Sequence, residues 1–296
     1  MIRAMATITT DDGVRLHVED VGSGTPILFV HEFAGDAAAY EPQLRHFSRR
    51  YRCIAYDARG YPPSDVPADV ERYSQDRARD DIRAVLDGLG IDSAHVVGTS
   101  MGAFATLHFG FAYPERARSL VLTGCGYGAE PSTHELFLAE TLRSATTIET
   151  EGMAEFARSY AVGPARVQYQ TKDPRGWGEF ATRLAGHSPI GSANTLRGVQ
   201  ARRPSLWDLT DRMRALELPT LVIVGDEDHP CLAPGILLKQ TIRTAALAIV
   251  PNTGHAVNTE EPDAFNRLLD DFLHQVESGR WPRRDPRVDT TTIYGR

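Results

Sequence analysis

The sequence predicts an α/β fold: a mostly parallel, twisted sheet flanked by helices, with a helical cap inserted between two strands. Three observations predict it. Short apolar, β-branched runs alternate with segments of helical apolar spacing, the pattern of strand–helix–strand units. One such run, residues 94–97, passes directly into Gly98-Thr99-Ser100-Met101-Gly102 and then into a helical stretch. From about residue 129 to 206 the alternation stops and only helical pieces remain.

The elements follow in order. Residues 14–20 alternate in period two, and Asp11-Asp12-Gly13 before them signals a hairpin with residues 6–10. Residues 26–30 and 52–56 are continuous apolar runs, as expected of strands buried on both faces. The polar segment 37–50 between them carries a helix. In residues 73–90 Ala78, Ile82, Val85, Leu86 and Leu89 keep helical spacing, Ser74 suits the N-cap and Gly90 the C′ position. Residues 94–97, 118–123, 219–224 and 245–250 read as further strands, and a helix from about Glu261 places Phe265, Leu268, Leu269, Phe272 and Leu273 on one face. The insertion contains helical pieces at 135–142 and 153–160. The organisation expected is therefore a core of residues 1–128 and 207–296 and a cap of 129–206. The end of the chain, 279–296, is rich in Arg, Pro, Asp and Thr and reads as a loosely held tail.

Composition narrows the function classes. The 296 residues are 42% apolar and carry a net charge of −7, which argues against a nucleic-acid groove. Cys53, Cys125 and Cys231 are widely spaced and odd in number, so neither a disulfide framework nor a zinc knuckle is expected. No signal-like start and no apolar run of the ~20 residues that span a bilayer is evident. These features imply a cytoplasmic protein with a small-molecule partner, no membrane and no nucleic acid. They do not set its oligomeric state.

A small residue two places either side of a serine, on a strand-to-helix turn, has the form of a nucleophile elbow. The turn is so tight that side chains at both ends must nearly vanish, and the first N–H groups of the following helix stay free to bind an anion. Ser100 is thus a candidate nucleophile. A hydroxyl needs a base, and the base needs a third group to orient it. Of ten histidines, His17, His95, His108 and His274 fall inside predicted strands or helices, and His134 and His187 in the insertion. His255 follows the strand 245–250 in the loop Pro251-Asn252-Thr253-Gly254, at the same sheet edge as Ser100. His31 lies at that edge too, but its early place suits a loop-shaping role. The strand 219–224 runs into Gly225-Asp226-Glu227-Asp228, which offers three carboxylates for the orienting role.

Taken in order, His31-Glu32-Phe33-Ala34-Gly35, Asp57-Ala58-Arg59-Gly60, the elbow, Gly225-Asp226-Glu227-Asp228 and Gly254-His255 make the chain resemble the α/β-hydrolase superfamily, in its capped, esterase-like branch. The resemblance covers roughly residues 7–128 and 207–277. It implies the α/β-hydrolase fold and the chain order Ser, acid, His. It selects Asp228, the last residue of a G-x-x-D element, over Asp226. It also implies an oxyanion hole formed by the N–H groups of Met101 and Phe33. The activity implied is serine hydrolysis of a carboxylic ester or related acyl bond through an acyl-enzyme, with no metal and no cofactor. Lactone, amide and carbon–carbon cleavage remain open on the same residues. Aspartate at the elbow, as in dehalogenases and epoxide hydrolases, is excluded by Ser100. From other classes, a cofactor-independent oxygenase or lyase and a non-catalytic receptor stay as rivals.

Two departures stand out. Relatives carry glycine where Glu32 stands. The expectation is that Glu32 turns away from the oxyanion hole and pairs with Arg59; the sharper alternative is that it lines the pocket and selects a cationic or hydrogen-bond-donating substrate. In Gly60-Tyr61-Pro62-Pro63-Ser64, proline replaces a second glycine, which is expected to stiffen a surface loop remote from the chemistry. Within the insertion and at its end, Trp177, His187, Trp207 and Met153 are candidates to shape the substrate pocket.

Overall fold

The computed structural model describes residues 4–288. They form one sheet of β1 (Ala4–Thr9), β2 (Arg15–Gly22), β3 (Pro26–Val30), β4 (Arg52–Tyr56), β5 (Ala94–Thr99), β6 (Ala117–Thr123), β7 (Thr220–Gly225) and β8 (Ala245–Val250). Their spatial order is β1-β2-β4-β3-β5-β6-β7-β8. β1 and β2 pair antiparallel, β2 joins β4 antiparallel, and every later pairing is parallel. This is an α/β-hydrolase fold.

Helices α1 (Glu41–Phe47), α2 (Gln75–Gly88) and α3 (Met101–Ala112) precede β6. After β6 come α4 (His134–Glu151), α5 (Met153–Tyr160), α6 (Val167–Lys172), α7 (Pro174–Ala185) and α8 (Pro189–Asn194), which continues as a π-helical segment, Thr195–Gln200. α9 (Thr210–Ala215) leads into β7, α10 (His229–Thr241) joins β7 to β8, and α11 (Val257–Glu260) and α12 (Pro262–Glu277) complete the core. Among the described residues no helix is long and apolar enough to cross a membrane.

Alternate residues of each central strand face opposite layers. Leu28, Val30, Val96, Leu120 and Leu122 pack with Ile82, Val85 and Leu86 of α2 and Phe104 and Leu107 of α3. Ile27, Phe29, Val97, Val121 and Ile223 pack with Leu44 and Phe47 of α1 and Phe265, Leu269 and Phe272 of α12. α2 begins where Ser74 caps it, its hydroxyl accepting the Arg77 N–H at 3.1 Å. The chain leaves β3 toward β4 and then returns to β5 on the other side, so the loops after β3 and β5 diverge. That reversal opens a crevice at the carboxyl edge of the sheet, the position where open α/β sheets bind ligands.

Two expectations need correction. The tail is anchored at its start. Trp281 packs edge-on against Phe272 with centroids 4.6 Å apart and donates its indole N–H to the Thr244 carbonyl at 2.7 Å. Arg284 donates to the Lys239 and Gln240 carbonyls at the end of α10, both at 2.6 Å. An apolar ring and a cation at a helix C-terminus give this segment real docking contacts. Residues 289–296 of the predicted tail lie outside the described residues. The loop at 60–64 reaches the surface only at Pro62 and Pro63, which are exposed as expected; Tyr61 is 1% exposed and its hydroxyl donates to the Phe33 carbonyl at 2.9 Å, so the loop is not remote from the site.

Candidate active site

Ser100 sits between β5 and α3 at φ 53°, ψ −112°, a left-handed conformation that non-glycine residues rarely hold. Its amide donates to the Thr123 carbonyl at 2.8 Å and its carbonyl receives Phe104 N–H at 3.1 Å, so both neighbours clamp the turn. A Cβ on Gly98 would lie 2.3 Å from the Gly102 carbonyl oxygen, and one on Gly102 would lie 2.1 Å from that of Val30. These are backbone obstacles that no rotamer relieves. Gly102→Ala is expected to cost stability at or above the upper end of the ~1–3 kcal/mol typical of overpacking, read as a lowered urea midpoint.

His255 follows β8 in a loop fixed on all sides. Asp226 accepts the Thr253 N–H at 3.0 Å, both Glu260 carboxylate oxygens accept the Gly254 N–H at 3.0 Å, and the His255 N–H donates to Ala165 of the cap at 3.1 Å. The three acids after β7 divide their work. Asp226 holds the histidine loop, Glu227 receives Gln168 of the cap at 2.8 Å, and Asp228 accepts from His255 Nδ1 at 2.7 Å. Burial works against the charged forms of both Asp228 and His255. Their mutual attraction outweighs it, so the carboxyl lies below its ordinary range and the imidazole above its own.

Ser100 and His255 line one cavity of about 320 Å³. No hydrogen bond joins them; such bonds commonly tighten only when substrate binds. Among the described residues, the N–H groups of Phe33 and Met101 have no acceptor within the protein; Met101 is the first residue of α3, where orphan donors are expected. Tyr61 steadies the Phe33 peptide from its carbonyl side. His31 shapes the same loop: Nε2 accepts the Ala58 N–H at 3.0 Å, so Nδ1 carries the proton it shares with the Glu32 carbonyl at 2.7 Å.

Glu32 is not among the residues that line this cavity, and its partner is not Arg59. Arg59 lies across the sheet edge, committed to Asp81 at 2.6 Å and Asp12 at 2.9 Å. Glu32 instead meets Arg166 of the cap in a two-pronged pair, Nη1–Oε1 3.0 Å and Nη2–Oε2 2.5 Å. Both side chains are buried, 6% and 2% exposed. Burial raises the Glu32 carboxyl, and Arg166 more than offsets that, leaving it below its ordinary value.

The other pocket candidates fall elsewhere. Trp177 packs in the cap's own core and donates to the Ala161 carbonyl at 2.7 Å. Met153 is buried in the same cluster. His187 lies edge-on to Tyr61, centroids 5.2 Å apart, its pKa pushed down to about 4 by burial. Trp207 packs under the sheet with the α2–α3 layer. The roof is built by Phe33, Phe137, Phe156, Tyr160 and Leu196, with Thr141 and Gln200 among its polar members. The spacing Phe137, Glu140, Thr141, Ser144 on one face of α4 was the signal available for it.

One grouping of metal-ligand type occurs among the described residues: Asp228, Cys231 and His255, with ligand atoms within 4.8 Å of one another. The 2.7 Å carboxylate–imidazole bond leaves no room for an ion between those two groups, and Cys231 turns its thiol to the Gly124 carbonyl at 3.4 Å.

Known proteins share this fold. The alpha/beta hydrolase fold family matches residues 25–262. The chain is 30% identical over 264 residues to the 2-hydroxy-6-oxo-6-phenylhexa-2,4-dienoate hydrolase of Burkholderia cepacia, covering 88% of this chain and 91% of that one. It is 25% identical over 273 residues to 3-oxoadipate enol-lactonase 1 of Acinetobacter baylyi, covering 91% and 97%. A thermophilic esterase from Thermogutta terrifontis superposes with a TM-score of 0.80 at 26% identity, over 93% of this chain and 99% of the other. The match to the family model spans β3 to β8, Ser100, the helical insertion between β6 and β7 and the histidine loop, and on that ground the chain belongs to the alpha/beta hydrolase fold family.

Proposed function

We propose that the protein is a serine hydrolase that cleaves a carboxylic ester or related acyl bond of a small to medium substrate. The observation that carries this reading is the hydrogen-bonded Asp228–His255 pair opening onto the cavity that holds the Ser100 elbow. Ser100 attacks the carbonyl while His255 takes its proton, and Asp228 orients the ring and stabilises its cation. The Phe33 and Met101 amides receive the oxyanion, where one lost donor costs about 10²–10³ in rate. His255 returns the proton to the leaving group, and water then resolves the acyl-enzyme by the same route.

A fluorophosphonate probe and a p-nitrophenyl ester test it. Wild type labels at Ser100 and gives a burst; Ser100→Ala does neither. Labelling with no turnover across an acyl panel overturns the reading. Similarity to the Burkholderia cepacia dienoate hydrolase favours a second one, carbon–carbon cleavage by the same residues. Turnover of a vinylogous keto acid well above that of any ester would select it.

A further inference from the structure

The cavity roof contains polar groups that the proposed chemistry does not use. Thr141 and Gln200 are 6% and 8% exposed. Both line the Ser100 cavity. Among the described residues neither side chain has a hydrogen-bond partner in the protein. Two of the three other threonines of α4, Thr146 and Thr150, donate back to carbonyls four residues earlier, at 3.0 and 2.9 Å. Thr141 is on the face of α4 that carries Phe137 and Ser144 into the roof, and Gln200 ends the π-helical segment one turn after Leu196. π-Helical turns often mark functional sites, because the wider turn redirects side chains.

A hydroxyl and a carboxamide that have no protein partner and open onto the cavity bond to whatever fills it. In the free protein water is the group available to do so. An apolar acyl chain would expel that water and leave both groups unpaired, which is costly. A ligand with an oxygen function at that depth would replace the water's bonds. We propose that Thr141 and Gln200 form a polar subsite in the cap that selects acyl compounds bearing a keto or hydroxyl group remote from the scissile carbonyl. The proposal rests on the hydrolase reading for its reaction but not for its binding. Phe137, Phe156 and Leu196 then hold the hydrocarbon between the two polar ends.

The test compares p-nitrophenyl hexanoate with matched keto esters whose second carbonyl stands at the fourth or fifth carbon. Wild type is expected to favour at least one keto ester by about tenfold to a hundredfold in kcat/KM, the fold-change that corresponds to leaving one enclosed polar group unpaired. Thr141→Val and Gln200→Leu, each checked for an unchanged melting temperature, should raise the hexanoate rate, lower the keto rate, and bring the ratio toward one. A wild-type ratio near one for every keto ester, or a ratio that neither variant moves, overturns the subsite. If no ester turns over and Ser100 does not label, the hydrolase reading has failed instead. Calorimetry with hexanoate and the corresponding keto acids then reads the subsite directly: equal affinity, or a preference unmoved by Gln200→Leu, overturns it.

Discussion

Asp228→Asn is expected to lower kcat by about 10⁴-fold while leaving the fold intact, the magnitude found when the carboxylate of a Ser-His-Asp site becomes an amide. The geometry gives the reason. His255 Nδ1 faces Asp228 at 2.7 Å, and that bond both sets the tautomer and stabilises the imidazolium that forms during attack. An amide that presents its NH₂ there favours the tautomer with Nε2 protonated, which cannot accept the Ser100 proton. The pH profile changes as well. Burial lowers the pKa of His255, and Asp228 is the first of the contacts that raise it again, with Glu32 adding to it, so in wild type the acid limb lies above the ordinary value of 6.5. Without Asp228 the burial effect is less opposed, and the limb moves to lower pH. Stability follows the same linkage. A raised imidazole pKa contributes stability that is fully present below the unfolded pKa and is lost as pH rises through the folded one; the variant lacks this loss. Steady-state kinetics from acid to alkaline pH, with NMR titration of the ring, check both effects. A kcat within tenfold of wild type would remove Asp228 from the proposed role.

Some of this site was legible in the sequence for local reasons. Ser100, His255 and the acids after β7 each follow an apolar run, and a parallel sheet delivers the ends of such runs to one edge. Gly98 and Gly102 announce a close approach before any contact is known. Choosing among Asp226, Glu227 and Asp228 required the resemblance, because each points to a different partner: the histidine loop, the cap and the imidazole. The burial of Tyr61 was not legible because proline-rich composition reads as surface, which holds for Pro62 and Pro63, whereas the Tyr61 hydroxyl reaches the Phe33 carbonyl through tertiary packing. The cap was the least legible region. The break in alternation is visible, but which face meets the cavity depends on docking: of the chosen residues, Trp177 and Met153 pack in the insertion's cluster, His187 against Tyr61 and Trp207 in the α2–α3 layer. Glu32 illustrates the limit most clearly. The sequence shows a carboxylate where a glycine is usual, yet its partner stands 134 residues away in a short turn of the insertion.

Arg166→Met is expected to destabilise the protein by about 3–5 kcal/mol, the range for removing one partner of a buried ion pair. Glu32 and Arg166 are almost wholly enclosed, so the lost guanidinium has no solvent to replace it. Arg166 also follows Ala165, whose carbonyl receives the His255 N–H at 3.1 Å, so the same turn that neutralises Glu32 holds the histidine loop. Linkage separates this from an ordinary packing loss. In wild type burial raises the Glu32 carboxyl and Arg166 outweighs it, so its folded pKa is below the ordinary value of 4.5. Its contribution is therefore present above that value and fades as pH falls through the lowered one. In the variant burial acts unopposed by the guanidinium, and the folded pKa rises above the unfolded one. Native protein then binds the extra proton, and stability climbs as pH is lowered from neutrality toward 5. Denaturant unfolding at several pH values measures the slope. Glu32→Gln combined with Arg166→Met should recover much of the loss and erase the slope, because a neutral amide no longer carries an uncompensated charge. A single variant whose deficit is constant across this range would assign Arg166 a packing role alone.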